Sequence, residues 1–173
     1  MVGDQITVLK ELMSRYGAES VHISEEFEPY GLARDARVEA AGINLVRTGS
    51  PYAVAPGRVR KPSDGTPYRV YTPFYKAWLA HGWRDPAPAP GAIPTVTPSA
   101  NDRSFPMWEL PAGTNIAPAG EEAAHERWTW FKENALDGYD ENRNNAGVDG
   151  TSKLSAHLKW GEIHPRTLLA ELG

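Results

Sequence analysis

Three short strings near the end of the chain carry most of the information about its fold: Tyr139-Asp140-Glu141-Asn142-Arg143, Thr151-Ser152-Lys153-Leu154-Ser155 and Gly161-Glu162-Ile163-His164-Pro165-Arg166. The middle string follows Gly150 and is predicted to open a helix, so it offers hydroxyls and free backbone N–H groups at a positive helix end. Phosphate groups bind well in such a place. Taken alone, the string fits an ordinary helix cap equally well, in which the hydroxyls serve only the helix itself.

The first fifty residues are predicted to alternate between helices and strands. Asp4 can cap a helix that ends at Gly17, and a second helix is predicted from Pro29 to Gly42. Each helix has apolar residues at helical spacing and is followed by a short strand, Val21-His22-Ile23 after the first and Ile43-Asn44-Leu45-Val46 after the second. This order predicts an α/β fold with a parallel sheet.

Beyond this part, the chain is predicted to contain a long connection and a helical end. A short helix is predicted from Pro73, and 8 of the 15 prolines then lie between residues 86 and 118. An amphipathic helix follows, since apolar residues recur at helical spacing at Ala124, Trp128, Phe131 and Ala135. We therefore divide the chain into residues 1–84, 85–120 and 121–173, and we expect the helices of the last part to find little to pack on.

The composition excludes several classes of function. The net charge is -4, so any contact with nucleic acid must come from a local basic patch. The modest cluster Arg58, Arg60, Lys61 and Arg69 is predicted to be solvated surface. There is no cysteine, which excludes disulfides and thiolate metal sites and favours a cytoplasmic location. No membrane span, no histidine pair at metal-ligand spacing, no Gly-x-Ser-x-Gly string and no P-loop occurs.

Taken together, the three strings resemble the start of the FAD-binding helical domain of DNA photolyases and cryptochromes. That pattern has a Tyr, an Arg four residues later, a Thr-Ser-x-Leu-Ser string and a Gly-x-(Ile or Leu)-x-Pro-Arg tail. Residues 68–78 also resemble the phrase that closes the photolyase α/β domain. The resemblance implies a partial Rossmann-like photolyase N-terminal domain at residues 1–84, a proline-rich connection, and the first helices of an all-α FAD-binding domain.

The resemblance also implies roles for single residues. FAD would be contacted along its diphosphate and ribityl region by Tyr139, Thr151, Ser152, Lys153, Leu154 and Ser155. Arg143 would contact a DNA phosphate at the rim of the flavin pocket. No catalytic residue and no metal ligand is implied in this chain. Photolyases commonly have an acid and a proline where Asn144 and Ala146 stand, so the chemistry of this loop is expected to differ.

A second chromophore, an antenna, is also implied by the resemblance. Tyr30-Gly31 stand where folate-type photolyases have the Asn-Glu pair that holds methenyltetrahydrofolate. The sequence therefore disfavours a folate antenna, and a deazaflavin antenna, or none, fits better.

The function implied by the resemblance is light-driven repair of cyclobutane pyrimidine dimers in DNA by an enzyme that is monomeric in its full-length form. The family's first-strand phrase, Trp-Phe-Arg-x-Asp-Leu-Arg, does not occur here, and neither do the helices that enclose the flavin ring. We therefore expect a fragment truncated at both ends, with an incomplete FAD site and no activity by itself. Two alternatives remain open: a cryptochrome-type blue-light photoreceptor and a stand-alone nucleotide-binding module.

Overall fold

The computed structural model describes residues 3–99 and 109–172, which fall into two compact units. Within those ranges, the first unit comprises Met1–Ser50 and Pro88–Thr114, and the second comprises Pro51–Ala87 and Asn115–Gly173. The described parts of the expected connection contain no helix or strand, and its residues 100–108 lie outside the described residues. The division of the chain at residues 84 and 120 stays a prediction.

The first unit has the predicted alternation of helices and strands. Its elements are α1 (Gln5–Tyr16), β1 (Val21–Ile23), α2 (Pro29–Ala40) and β2 (Leu45–Arg47). The two strands pair in parallel, with Val21 opposite Leu45. The predicted start of β2 is two residues early, because the N–H of Ile43 still bonds to the carbonyl of Val38 in α2, at 3.4 Å. The mixed fold with a parallel sheet is therefore confirmed.

Local signals explain where α1 begins and ends. The Asp4 carboxylate accepts hydrogen bonds from the backbone N–H and the hydroxyl of Thr7, at 3.0 and 2.9 Å. These bonds lower the pKa of Asp4. Gly17 ends the helix with a φ of 66°, in the left-handed region where glycine carries no side-chain penalty.

The second unit consists of helices joined by irregular segments. Its elements are α3 (Tyr71–His81), α4 (Glu121–Asn134), α5 (Tyr139–Asn142), α6 (Ser155–Trp160) and α7 (Pro165–Leu172). Helix α3 was predicted to begin at Pro73, and it begins two residues earlier, at Tyr71. The first-turn N–H groups of a helix have no partner inside the helix, so a proline in this turn costs no hydrogen bond.

The helical part of the chain has a core of its own. Trp128 and Phe131 of α4 are buried together, and the full cluster is Ala124, Trp128, Phe131, Ala135, Leu154 and Ile163. Trp128 also donates its indole N–H to the Glu171 carboxylate of α7, at 2.8 Å. The expectation that these helices find little to pack on is therefore wrong, because they pack on one another. Among the described residues, no helix has the length and apolarity that a bilayer span requires.

Candidate functional site

Arg127 holds the segment that contains the predicted phosphate-binding string. It lies on α4, and its Nη1 and Nη2 donate to the two carboxylate oxygens of Asp149, at 3.0 and 2.7 Å. The same guanidinium donates to the carbonyls of Thr151 and Ser152, at 2.6 and 2.9 Å. Its Cζ lies 4.0 Å from the ring centroid of Trp130. One side chain of a helix therefore fixes three positions of residues 149–152.

The ion pairs around Asp149 set the charge of this segment. Hydrogen bonds from Arg127, and then from Lys153, lower the pKa of Asp149 to about 2. The Lys153 ammonium lies 2.9 Å from the Asp149 carboxylate. Asp149 is therefore ionised at neutral pH, and it neutralises part of the positive charge that surrounds it.

The backbone of the string has one side free for a ligand. Its peptide bonds are trans, so each carbonyl and the N–H that follows it point in opposite directions. Since Arg127 takes the carbonyls of Thr151 and Ser152, the N–H groups of Ser152 and Lys153 face away from it. Lys153 has a φ of 53° and Leu154 a φ of -83°, and neighbouring residues of opposite hand form a concave group of N–H donors that suits an anion.

The hydroxyls of the string do not cap the helix that follows. Leu154 is the N-cap of α6, which has no side-chain capping bond. The hydroxyls of Thr151, Ser152 and Ser155 make no hydrogen bond with any residue that the structure describes. The interpretation as an ordinary helix cap is therefore wrong. Leu154 is 1% exposed, so only its backbone can reach a ligand.

Helix α5 and the start of the string are packed together through a glycine. A side-chain Cβ at Gly150 would lie 2.6 Å from the Cβ of Asn142 and 3.3 Å from its backbone carbonyl group. Any residue larger than glycine would therefore push α5 and residues 150–151 apart. This contact places the last residue of α5 next to the residue that precedes Thr151.

Tyr139 and Arg143 lie on α5 and directly after it. The Tyr139 ring meets Phe131 edge to face, with centroids 5.9 Å apart, and it remains 38% exposed. The Arg143 guanidinium lies 6.0 Å from the Tyr139 ring and 4.0 Å from the Asp140 carboxylate, and half of its side chain is exposed. Arg143 therefore makes a long ion pair with Asp140 and a contact with the Tyr139 ring, and half of its side chain is open to solvent.

A buried histidine and a half-buried glutamate hold the far end of α6. The His157 Nδ1 lies 2.5 Å from the Glu162 carboxylate, and the Glu162 N–H bonds to the His157 carbonyl at 2.9 Å. The backbone N–H of Gly120, and then His157, lowers the pKa of Glu162. Because Gly120 precedes α4, this pair joins α6 to the start of the helix that carries Arg127.

Sequence reasoning missed Arg127 and Asp149. Arg127 lies among charged residues on an amphipathic helix, so the sequence predicts an exposed side chain. Its partners lie more than twenty residues further along the chain. The usable signal was Asp149 just before a Gly-Thr-Ser string, since a carboxylate beside a predicted phosphate site needs a cation to hold it. The string has the donors to bind a phosphate-bearing group. No group of three His, Cys, Asp or Glu among the described residues could hold a metal ion.

Comparison with known proteins gives a consistent picture. The sequence profile of the DNA photolyase family matches residues 1–92. The chain is 35% identical over 97% of its length to a 31.6 kDa protein from the atpI 5′ region of one Synechococcus strain. It is 35% identical over 93% of its length to the deoxyribodipyrimidine photo-lyase of another Synechococcus strain.

A solved structure shares the fold. The class III photolyase from Agrobacterium tumefaciens superposes with a TM-score of 0.71 and 29% sequence identity, over 97% of this chain and 37% of that one. The chain spans 62% of the length of the first Synechococcus protein and 36% of the photo-lyase of the second. The likeness therefore extends over nearly all of this chain and over about a third of each photolyase.

Proposed function

This chain belongs to the DNA photolyase family, and we propose that it forms part of a light-driven, FAD-dependent enzyme that repairs cyclobutane pyrimidine dimers in DNA. The observation that carries this proposal is the segment 149–155, which is held by Arg127 and leaves its hydroxyls and N–H groups free. The likeness to a deoxyribodipyrimidine photo-lyase over 93% of the chain supports it.

The proposal includes the division of the chain. Residues 1–84 correspond to the C-terminal part of a Rossmann-like α/β domain, residues 85–120 to a connection, and residues 121–173 to the start of a helical FAD-binding domain. A cytoplasmic location, expected from the absence of cysteine, and a monomeric full-length protein belong to the same proposal.

The residues present fit the diphosphate of FAD. Phosphate oxygens need several donors, and the string offers the hydroxyls of Thr151, Ser152 and Ser155 together with the N–H groups of Ser152 and Lys153. Lys153 adds positive charge, and the exposed Tyr139 ring lies on the neighbouring α5. When bound, the flavin supplies the excited-state electron transfer that splits the dimer. This chain's part is to bind the diphosphate and fix its position, and none of its residues is assigned a catalytic role.

The antenna part of the proposal rests on the start of α2. Gly31 is buried, and a Cβ at this position would lie 1.9 Å from the Cγ of Glu26. The Glu26 carboxylate accepts hydrogen bonds from the N–H groups of Phe27 and Glu28, at 2.9 and 3.2 Å. Glu26 therefore occupies the space that a glutamate at position 31 would need. This arrangement supports a deazaflavin antenna, or none, over a folate.

A chimera tests the function directly. Residues 1–173 would replace the matching segment of the Synechococcus photo-lyase to which they are 35% identical. We expect the chimera to retain FAD and to repair thymine dimers in an oligonucleotide only under blue light. In the same chimera, Thr151→Ala with Ser155→Ala should weaken FAD binding by roughly 1–3 kcal/mol, or about five- to 150-fold, because hydrogen bonds to a charged group are lost.

The matched control is Ser63→Ala with Thr129→Ala, which removes two exposed hydroxyls elsewhere and should leave FAD binding unchanged. Equal FAD affinity in the two double variants would show that the string does not bind the diphosphate. A chimera that retains FAD but repairs no dimers would favour the photoreceptor alternative. Tight FAD binding by residues 1–173 alone would favour the nucleotide-binding module.

We propose that Arg143 contacts a DNA phosphate. Arg143→Ala in the chimera should lower the affinity for damaged and undamaged duplex alike and reduce the salt slope of binding by about one. FAD retention should not change, since the exposed guanidinium makes no contact with residues 151–155. Arg37→Ala, at another exposed arginine, is the control. Normal DNA affinity with loss of flavin would assign Arg143 to the cofactor instead.

A further inference from the structure

An apolar cavity in the second compact unit has no role in the proposed flavin site. Its volume is about 520 Å³, within the roughly 300–1,000 Å³ of small-molecule sites. It lies between residues 52–60, residues 67–68, helix α3 and Pro165, and its walls are mainly aromatic rings and prolines, including Tyr52, Tyr68, Phe74, Trp78, Pro56 and Pro67.

The wall opposite α3 is held in place by its own hydrogen bonds. Arg60 donates from Nε to the Gly57 carbonyl at 2.8 Å and from Nη1 to the Gly65 carbonyl at 3.2 Å. The N–H of Lys61 bonds to the carbonyl of Thr66 at 3.0 Å. These bonds close the 57–66 segment on itself, so the wall exists before any ligand binds.

A second fixed point lies on the other side of the same segment. Arg166 donates from Nε to the carbonyl of Ala53 at 2.9 Å, which holds the start of the wall against α7. A preformed cavity loses less entropy on binding than one that a ligand must order.

The aromatic rings of the cavity are also fixed by one another. Tyr68 and Phe74 meet edge to face with centroids 6.2 Å apart, and Trp78 stacks on Trp83 with centroids 4.7 Å apart. Rings held in this way favour a flat aromatic partner, which can stack or meet them edge to face. The rings of Tyr52 and Phe74 that line this space remain partly exposed, so they present apolar surface that such a partner would cover.

The charge of the rim narrows the class of ligand. Arg60 lines the cavity, and its Nη2 makes no hydrogen bond with any described residue. Arg58 and Arg69, both exposed, lie in the flanking segments and add positive potential. A guanidinium with one nitrogen free is suited to donate hydrogen bonds to a carboxylate. We propose that this cavity binds a planar aromatic carboxylate, with its ring among Tyr68, Phe74 and Trp78 and its carboxylate on Arg60.

Titration of the chain with naphthoate tests the proposal, with binding followed by calorimetry and by quenching of tryptophan fluorescence. We expect saturable binding at one site. Arg60→Gln also loses the two wall bonds to Gly57 and Gly65, which should weaken binding of both ligands alike. Binding of naphthoate should therefore weaken about tenfold more than binding of the neutral analogue naphthalenemethanol, because only naphthoate loses a charge-assisted hydrogen bond. Arg58→Gln, which removes an equal charge outside the cavity lining, should have little effect on either ligand.

Two further variants locate the site. Val59→Phe adds a ring at the cavity wall and should abolish binding of both ligands, while Thr151→Ala with Ser155→Ala should bind naphthoate as the wild type does. Absence of saturable binding by the wild type would overturn the proposal. Equal losses in the two arginine variants would also overturn it, since they would indicate attraction by general positive charge. The flavin proposal is untouched by either result, because it depends on residues outside this cavity.

Discussion

Phe131→Ala should lower the free energy of unfolding by about 3–5 kcal/mol, the usual cost of truncating a buried aromatic residue. Phe131 is 5% exposed and packs against Trp128 with ring centroids 5.9 Å apart. It also meets the ring of Tyr139 edge to face. The helices around it are short, so there is little surrounding structure that could close the space left by the ring. Urea denaturation followed by tryptophan fluorescence would measure the change.

Trp160→Ala is the matched control. Trp160 is 78% exposed, and a surface change of this kind normally alters stability by less than about 0.5 kcal/mol. Equal effects of the two variants would mean that the cluster around Phe131 does not form a fixed core. The Phe131 variant has a second readout, because loss of the Tyr139 contact should loosen α5 and weaken FAD binding in the chimera.

Local signals explain why most of the fold could be predicted. Asp4 and Gly17 bound α1 because a carboxylate satisfies the free N–H groups of a first turn and glycine enters the left-handed region without strain. Pro29 starts α2 for a similar reason, since its fixed φ suits a first helical position. These effects act within a few residues, and a sequence shows them directly. The proposed flavin residues have a different origin, because they are implied by the resemblance of residues 139–166 to the photolyase pattern.

Tertiary contacts account for what the sequence did not show. The spacing of Thr151 and Ser155 indicated hydroxyls near a helix start. Whether these hydroxyls cap the helix depends on the backbone conformation that Arg127 imposes by bonding to the carbonyls of residues 151 and 152. The burial of Leu154 in the same cluster as Phe131 likewise depends on how the segment folds back on α4. Single-residue patterns carry no record of such long-range partners. Expecting an unpacked helical end was the same error, because it considered each apolar face without its neighbour.

Arg127→Ala should lower the free energy of unfolding by about 2–4 kcal/mol, and it should release residues 149–152 from α4. Two charge-assisted hydrogen bonds to the carbonyls of Thr151 and Ser152 are lost, and together they contribute about 1.5–3 kcal/mol, below the usual value for two such bonds because the side chain is 21% exposed and the released carbonyls can bond to water. The contact with Trp130 adds about 0.5–1 kcal/mol. Arg127→Lys should recover only part of the lost free energy of unfolding, since one ammonium cannot bond to the Asp149 carboxylate and to both carbonyls at once.

The pH dependence separates the ion pair from the rest of this effect. The pKa of Asp149 is lowered from 3.8 to about 2 in the folded chain, chiefly by Arg127. Its contribution to stability is therefore fully present above about pH 4 and is lost as the pH falls through about 2. The stability difference between the wild type and Arg127→Ala should shrink over that range, measured by denaturation at a series of pH values. The stability difference between the wild type and Asp149→Asn should shrink over the same range of pH. A difference that stays constant down to pH 2 would mean that the ion pair contributes nothing and that Arg127 acts through the carbonyls of Thr151 and Ser152 alone.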